Sequence, residues 1–290
     1  MGVTPRKPVP HEVAEALGRV EGIDAVGDPL ARRVSGALGN GPLKDLLSGV
    51  PLGHPLHPLM TDLPIGTWTS ATLLDLLGGK PARPAADRLV GLGLLAAAPT
   101  VAAGLSDWAD TIGAERRIGV AHAAANVVAL TLYGGSWLAR RRGRRGLGVT
   151  LALAGGGAMA AGGHLGGHLS YARAVGVDQT ALEGRPGSWT ATVAEAELAE
   201  GVLAHASVAG TDVLLVRRGG RVLALSDTCS HRGGALHEGT LEDGCVVCPL
   251  HGSRFRLEDG SVERGPATYP QPRWETRVTA GRVEVRAAGG

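Results

Sequence analysis

Residues 229–255 read CSHRGGALHEGTLEDGCVVCPLHGSRF, and this stretch decides how the C-terminal part of the chain folds. It holds Cys229, Cys245 and Cys248, the three cysteines of the protein. Two spacings compete for Cys248. With Cys245 it makes C-x-x-C, the spacing of a zinc knuckle or a dithiol pair. With His251 it makes C-x-x-H, and Cys229 with His231 adds C-x-H, residues 232–247 lying between the two pairs. Two short loops that each offer a thiolate and an imidazole can clamp a two-iron, two-sulfide cluster from both sides. The thiolates then take one iron and the imidazoles the other.

The surroundings agree with that use. Gly233 and Gly234 follow the first pair and Gly252 the second, so backbone N–H groups can come close to bridging sulfides. Alternating segments at 213–217, 221–225, 246–248, 254–257, 276–279 and 282–286 predict strands. Gly219-Gly220, Asp259-Gly260 and Ala280-Gly281 supply turns between them. Zinc could also use two cysteines and two histidines, although this separation is less typical of it. A Cys245–Cys248 dithiol would remove a ligand. Strand alternation instead puts Cys245 on the face opposite Cys248, as a small buried packing residue. His237 and His205 have no partner at ligand spacing and read as surface residues.

Residues 188–287 resemble a Rieske [2Fe–2S] domain. CSHRGGAL and CPLHGSRF match its two cluster-binding loops, and GPATYPQP, residues 265–272, resembles the proline-rich loop that covers the cluster. The resemblance implies a [2Fe–2S] cofactor with Cys229, His231, Cys248 and His251 as its cofactor-binding and metal ligands. High-potential members add a disulfide between the two loops, at positions that are Gly234 and Leu250 here. They also place a hydroxyl residue and a tyrosine beside the cluster; Ser253 can be the first, but Phe255 stands at the second. Fewer hydrogen bonds to the sulfurs imply a lower, ferredoxin-like reduction potential.

The rest of the chain differs in composition. Of 290 residues 44% are hydrophobic and 19% charged, with 46 glycines and a net charge of +2, so no global field argues for nucleic acid. Nothing in the first 50 residues, which include Arg6, Lys7, Arg32 and Arg33, reads as a signal peptide. The sequence predicts a soluble N-terminal arm over 1–50, a four-helix membrane domain over 51–178 and the cluster domain over 188–287. Spans are expected near 63–77, 89–105, 120–138 and 147–169. Trp68, Trp108 and Trp137 fall near span ends, where amphipathic rings favour the interface. Small-xxx-small pairs at Gly162/Gly166 and Gly163/Gly167 allow close helix approach. The run of Arg140, Arg141, Arg142, Arg144 and Arg145 reads as a cytoplasmic loop.

Four antiparallel spans would gather His54, His57, Asp62, Asp107, Asp110, His122, His164 and His168 on one side. His57, His122, His164 and His168 are therefore candidates for haem or metal in the membrane domain. Hydrogen bonding to backbone carbonyls is the competing reading, and for the cluster of histidines both stand. HPLHPLMTDLPIGTW, GLSDW and GGHLSY resemble an uncharacterised bacterial family of four-helix membrane domains, some fused to a Rieske domain. The resemblance covers about residues 50–178 and implies a membrane fold without established chemistry.

Together these features predict an α+β multidomain chain: a four-helix transmembrane bundle followed by an all-β Rieske domain. The expected role is a membrane-anchored, ferredoxin-like electron carrier rather than a complete enzyme, multi-pass in a bacterial inner membrane. Its partners would be membrane lipids and a redox protein or quinone-linked donor, with no nucleic acid. The alternative is a membrane redox sensor or non-catalytic partner subunit. A catalytic oxygenase subunit is not expected, for want of a mononuclear iron domain around the cluster motifs, while donation of electrons to a separate oxygenase stays open.

Overall fold

The computed structural model describes residues 8–289, so Arg6 and Lys7 lie outside the described residues. The chain divides into two compact units. One takes the chain up to Leu38 together with Leu56–Val175; the other takes Gly39–Pro55 together with the chain from Gly176 onward. The first 50 residues are thus shared between the units instead of forming one separate arm.

Seven α-helices occur among the described residues: α1 (Val9–Gly18), α2 (Asp24–Leu38), α3 (Pro42–Ser48), α4 (Leu56–Leu77), α5 (Gly79–Ala109), α6 (Gly113–Arg141) and α7 (Arg145–Arg173). All but α3 belong to the first unit. Three of them, α5, α6 and α7, are long and apolar enough to cross a membrane, with mean hydropathies of 1.8, 1.3 and 1.3. The sequence reading expected four. The expected first span lies in α4, which also carries Asp62, Asp75, Thr61, Thr67, Thr69, Ser70 and Thr72, and these lower its apolar character.

Short connections make α4 and α5 one hairpin and α6 and α7 another. Trp68 and Tyr133 join them, their rings stacked at 4.0 Å and 10°. Trp68 is 5% exposed and its indole Nε1–H donates to the Val90 carbonyl at 3.2 Å, so it is a core residue and not an interface ring. Gly93 lies under Trp68, and Gly155 under Tyr133 at 3.1 Å from a built Cβ. On α7, Gly162 faces Asn126 and Gly166 faces His122, whereas Gly163 meets nothing, so only one of the expected small-residue pairs is a packing seam.

Ion pairs fasten the ends of this unit. Arg116 pairs with Asp28 at 2.7 Å and Arg117 with Asp24 at 2.5 Å, tying α2 to α6. Glu15 on α1 meets Arg173 on α7 at 2.6 Å. Two arginines of the basic run are consumed in the same way. Arg140, its side chain 1% exposed, and Arg145 both contact Asp75 and Asp87, with Asp87 at 2.8 Å from each.

The second unit is built on two antiparallel sheets. Its strands are β1 (Thr190–Ala194), β2 (Leu203–Val208), β3 (Thr211–Arg218), β4 (Arg221–Ser226), β5 (Thr240–Glu242), β6 (Cys245–Val247), β7 (Arg254–Arg256), β8 (Val262–Arg264), β9 (Arg273–Thr279) and β10 (Arg282–Ala287). The larger sheet has the order β1-β10-β9-β4-β3-β2 and the smaller one β5-β6-β7-β8. Strand β3 is buried on both faces. Leu214 and Val216 join a core with Leu225, Phe255, Leu257, Cys229 and Cys248, while Val213 and Leu215 join Trp274, Val283 and Val285 on the opposite face.

The Trp68 contact gives a test. An alanine methyl at Gly93 would sit 2.6 Å from Trp68 Cδ1, and one at Gly66 would meet nothing within 4 Å. Gly93→Ala is expected to destabilise the helical unit by about 1–3 kcal/mol, and Gly66→Ala to be neutral or stabilising. Thermal unfolding of the detergent-solubilised protein reads both.

Candidate iron–sulfur centre

Two loops bring the Cys/His pairs together, and their backbones close in the same way. In the first, the Cys229 N–H donates to the Gly234 carbonyl at 2.8 Å and the Gly233 N–H to the Cys229 carbonyl at 2.8 Å. In the second, the Cys248 N–H donates to the Ser253 carbonyl at 2.9 Å and the Gly252 N–H to the Cys248 carbonyl at 3.0 Å. Each loop therefore turns back on its cysteine through the residues four and five positions later. Gly233 at φ +70° and Gly252 at φ +73° hold the left-handed conformation that this turn requires. One turn can serve both a C-x-H and a C-x-x-H because the histidine is carried on its outer arc, not in its closing bonds.

The four side chains sort into an inner and an outer pair. Cys229 is 1% exposed and Cys248 3%, both within the core. His231 and His251 are half-buried, their rings perpendicular with centroids 5.1 Å apart. The Cys229 thiol donates to the Cys248 sulfur; that bond, with burial, holds Cys229 well above the usual thiol range, and the same bond pulls Cys248 down to about 7 against the opposing effect of burial. Burial, with the nearby positive charges of His251, Lys44 and Arg232, pushes His231 well below the ordinary imidazole range. A thiolate and a neutral imidazole are the states in which these groups bind metal. The donor set and its sorting fit a [2Fe–2S] cluster with two sulfur and two nitrogen ligands. Gly234 keeps the space open: a Cβ there would lie 3.1 Å from Cys248 Sγ and 2.9 Å from Leu250 Cδ1. Gly234 and Leu250 thus touch across the loops where a bridging disulfide would otherwise stand.

The third loop, residues 265–272, is tied to both. Ser253 Oγ accepts the Ala267 N–H at 3.0 Å, and Ser230 Oγ donates to the Tyr269 carbonyl at 2.9 Å. Gln271, 1% exposed, does most of the fastening. Its amide donates to the carbonyls of Ser226 at 2.7 Å and Thr228 at 2.5 Å, and its Oε1 accepts the Ser230 N–H at 3.1 Å. Sequence reasoning passed over Gln271; an amide between two prolines in a covering loop was the available signal.

Cys245 is 2% exposed and its thiol lies among Arg254, Arg256 and Glu263, apart from the core that holds Cys248. His237 corrects the expectation of a partnerless surface residue. Its Nδ1–H donates to Asp227 Oδ2 at 2.6 Å and its backbone N–H to Asp227 Oδ1 at 2.7 Å. His205 lies 4.8 Å from the His237 ring, its Nε2 3.0 Å from Asp212. Asp227, two residues before Cys229 and 3% exposed, anchors the exit of the first loop, a role the ligand motif did not signal.

The helical-unit candidates separate. His57 and His122 come together, ring centroids 6.3 Å apart and planes at 85°. Each Nδ1–H donates to a carbonyl, that of Thr100 at 3.0 Å and that of Gly162 at 2.7 Å. The Asn126 amide lies 3.1 Å from His122 Nε2. His164 points outward and is exposed. His168 is buried against Glu15 at 3.0 Å and the His11 ring at 5.0 Å, so it does not share the site of His57 and His122.

Comparison with known proteins matches residues 188–275 to the Rieske [2Fe–2S] domain. The anthranilate 1,2-dioxygenase ferredoxin subunit of Burkholderia cepacia is 41% identical over 81 residues, 28% of this chain and 75% of the relative. The chain belongs to the Rieske family. Ferredoxin CarAc of Metapseudomonas resinovorans is 33% identical to the Rieske region over 98 residues, 33% of this chain and 92% of that protein. The ferredoxin component of biphenyl 2,3-dioxygenase from Rhodococcus jostii (strain RHA1) is 34% identical over 94 residues, 32% of this chain and 88% of the relative. Residues 53–179 match a second family, described as a predicted membrane protein (DUF2231). A Rieske domain implies a [2Fe–2S] cluster, and the second match together with three helices long and apolar enough to cross a membrane supports a membrane location for the helical unit.

Removing Gln271 tests how the Rieske loops are held. Gln271→Ala leaves one N–H and two carbonyls of the first loop without their side-chain partner. The expected cost is at least about 2 kcal/mol in denaturant unfolding of the Rieske domain, with reduced cluster loading read from visible absorbance.

Proposed function

We propose that the protein is a membrane-anchored, ferredoxin-like electron carrier whose [2Fe–2S] cluster is held by Cys229, His231, Cys248 and His251. The sorting of those side chains into a buried sulfur pair and a half-buried imidazole pair carries this reading. When bound, the cluster supplies a one-electron couple. Cys229 and Cys248 would hold the inner iron in the dry core, and His231 and His251 the outer one. Cys229, Cys248 and the covering loop exclude water from the inner side, which leaves the imidazoles as the shortest covalent route outward. The anchoring reading is multi-pass in a bacterial inner membrane, with α4 completing a four-helix bundle beside α5, α6 and α7, and lipid as the surrounding partner.

The relatives point to the partner class. Several are ferredoxin components of dioxygenase systems. We assign this chain a redox-protein partner on the same basis, with a quinone-linked donor as the alternative that a membrane location would allow. Phe255 offers no hydroxyl to the sulfurs, and Ser253, whose Oγ accepts from Ala267, keeps a single O–H to donate; one hydroxyl donor fewer places the potential in the lower part of the roughly −150 to +300 mV Rieske range. Low-temperature EPR of purified membranes, titrated with redox mediators, tests this reading. Cys248→Ser is expected to abolish the Rieske signal and Cys245→Ser to retain it. A signal that survives Cys248→Ser, or a midpoint near the top of that range, sinks the assignment.

The pair His57 and His122 favours a second cofactor in the helical unit. A carbonyl fixes each Nδ1–H, so Nε2 is the ligating atom, and at His122 a ligand would displace the Asn126 amide that lies 3.1 Å from it. Gly104 packs edge-on to His57 and Gly166 to His122, with built Cβ atoms at 2.7 and 3.1 Å. We assign this pair, and not His164 or His168, as the haem or metal candidate. Protein from haem-supplied cells should show a Soret band that His57→Ala or His122→Ala removes and His164→Ala leaves intact. Absence of the band in the unmodified chain rejects haem.

A further inference from the structure

The second unit includes a segment distant in sequence from the Rieske domain, residues 39–55, and this segment lies over the loops just described. Its residues reach the covering loop and the second loop. Asp45 Oδ1 accepts the Gly265 N–H at 2.9 Å, and the Asn40 carbonyl accepts from Arg264 Nη1 at 3.1 Å. Val50 sits against Gly265, with Cγ2 2.6 Å from a Cβ built there, and Asn40 Nδ2 lies 2.7 Å from one built at Gly252, the residue after His251. Lys44, 4% exposed, is close enough to His231 to act on its charge. The covering loop and the second loop thus meet the same short stretch, and the first-loop histidine lies within electrostatic reach of it.

The way α3 is held differs from an ordinary amphipathic helix. Its inward side carries Lys44, Asp45 and Ser48, while Leu43 and Leu46 face outward at 53% and 56% exposure. Apolar contact is limited to half-buried Leu47 and to Val50 against Gly265; the hydrogen bonds that hold the segment bear on Gly265 and Arg264. Glycines with positive φ flank it, Gly39 at +58° before and Gly49 at +91° after. A segment with polar ties, little apolar burial and a glycine at each end opens at low free-energy cost relative to the domain beneath it.

We propose that residues 40–50 form a hinged strap over the histidine edge of the cluster site, so that a protein partner exchanges electrons with the cluster only when the strap lifts. The proposal rests on the cluster assignment above. A closed strap reduces the apparent rate with a bulky partner by the fraction of time it is open. A small reagent, reaching the imidazoles at the strap's margins, is affected less.

The full chain, cluster-loaded in detergent and reduced with dithionite, is mixed with ferricyanide or with ferricytochrome c. In each case one electron leaves the reduced cluster and converts ferric to ferrous iron in the probe. Asp45→Ala removes the acceptor for Gly265; Asp45→Asn keeps an amide oxygen at the same place. A third variant replaces residues 40–49 by an equally long Gly/Ser run. Hydrogen exchange of the Gly265 amide reports strap release, and EPR reports cluster content. Asp45→Ala and the Gly/Ser variant should speed the cytochrome c reaction about tenfold or more relative to ferricyanide, with faster exchange at Gly265, while Asp45→Asn stays near the unmodified chain. An unchanged ratio in the Gly/Ser variant overturns the strap, as does unchanged Gly265 exchange in Asp45→Ala. Loss of the EPR signal from the unmodified chain would instead reject the cluster assignment.

Discussion

Each cluster loop is closed by a pair of backbone hydrogen bonds between its cysteine and the residues four and five positions later. That constraint organises the whole β unit. It sends both thiols inward to the core shared with Leu214, Leu225 and Phe255, and holds both imidazoles on the outer arc. The cysteines then stabilise one another, a thiol donating to a sulfur that bears charge more readily. Gln271 and Ser253 add the side-chain bonds that keep the covering loop in register with both turns.

The helical unit obeys a different constraint. Its helices approach closely only where a side chain is missing, and aromatic or imidazole rings fill those gaps: Trp68 over Gly93, Tyr133 over Gly155, Trp108 over Gly119, His57 beside Gly104. Glycine and ring work as complementary halves of one contact. The histidines that looked like one functional group in sequence are distributed by this packing. Two face each other, one is tied to Glu15 on α1, and His164 faces outward.

The ligand motifs were legible because their chemistry fixes residue type and spacing together, so that Cys229, His231, Cys248 and His251 stood out without a fold. The strands around them were legible where alternation was clean, as in β3, β4, β9 and β10. β5 and β8 were not, and neither were the longer β1 and β2, while β6 and β7, equally short, were marked by their place beside the ligand loops. What sequence could not supply was anything resting on distant pairing. Asp227 with His237, Gln271 with the first loop, and Asp45 with Gly265 are each one ordinary polar residue whose meaning comes from the group it meets. Trp68 was misread for the same reason: its nearness to a span end was visible, its stacking on Tyr133 was not.

The ion cluster of Arg140, Arg145, Asp75 and Asp87 changes what the basic run can offer to a partner. Asp75 lies near the end of α4 and Asp87 near the start of α5, whereas Arg140 comes from the end of α6 and Arg145 opens α7. Packing the two hairpins together spends Arg140 and Arg145 on these carboxylates and leaves Arg141, Arg142 and Arg144 as the exposed arginines of the run. Two of its five arginines thus serve as the lock between hairpins, and a charge count taken from the sequence overstates by two the free positive charge that this end of the unit presents.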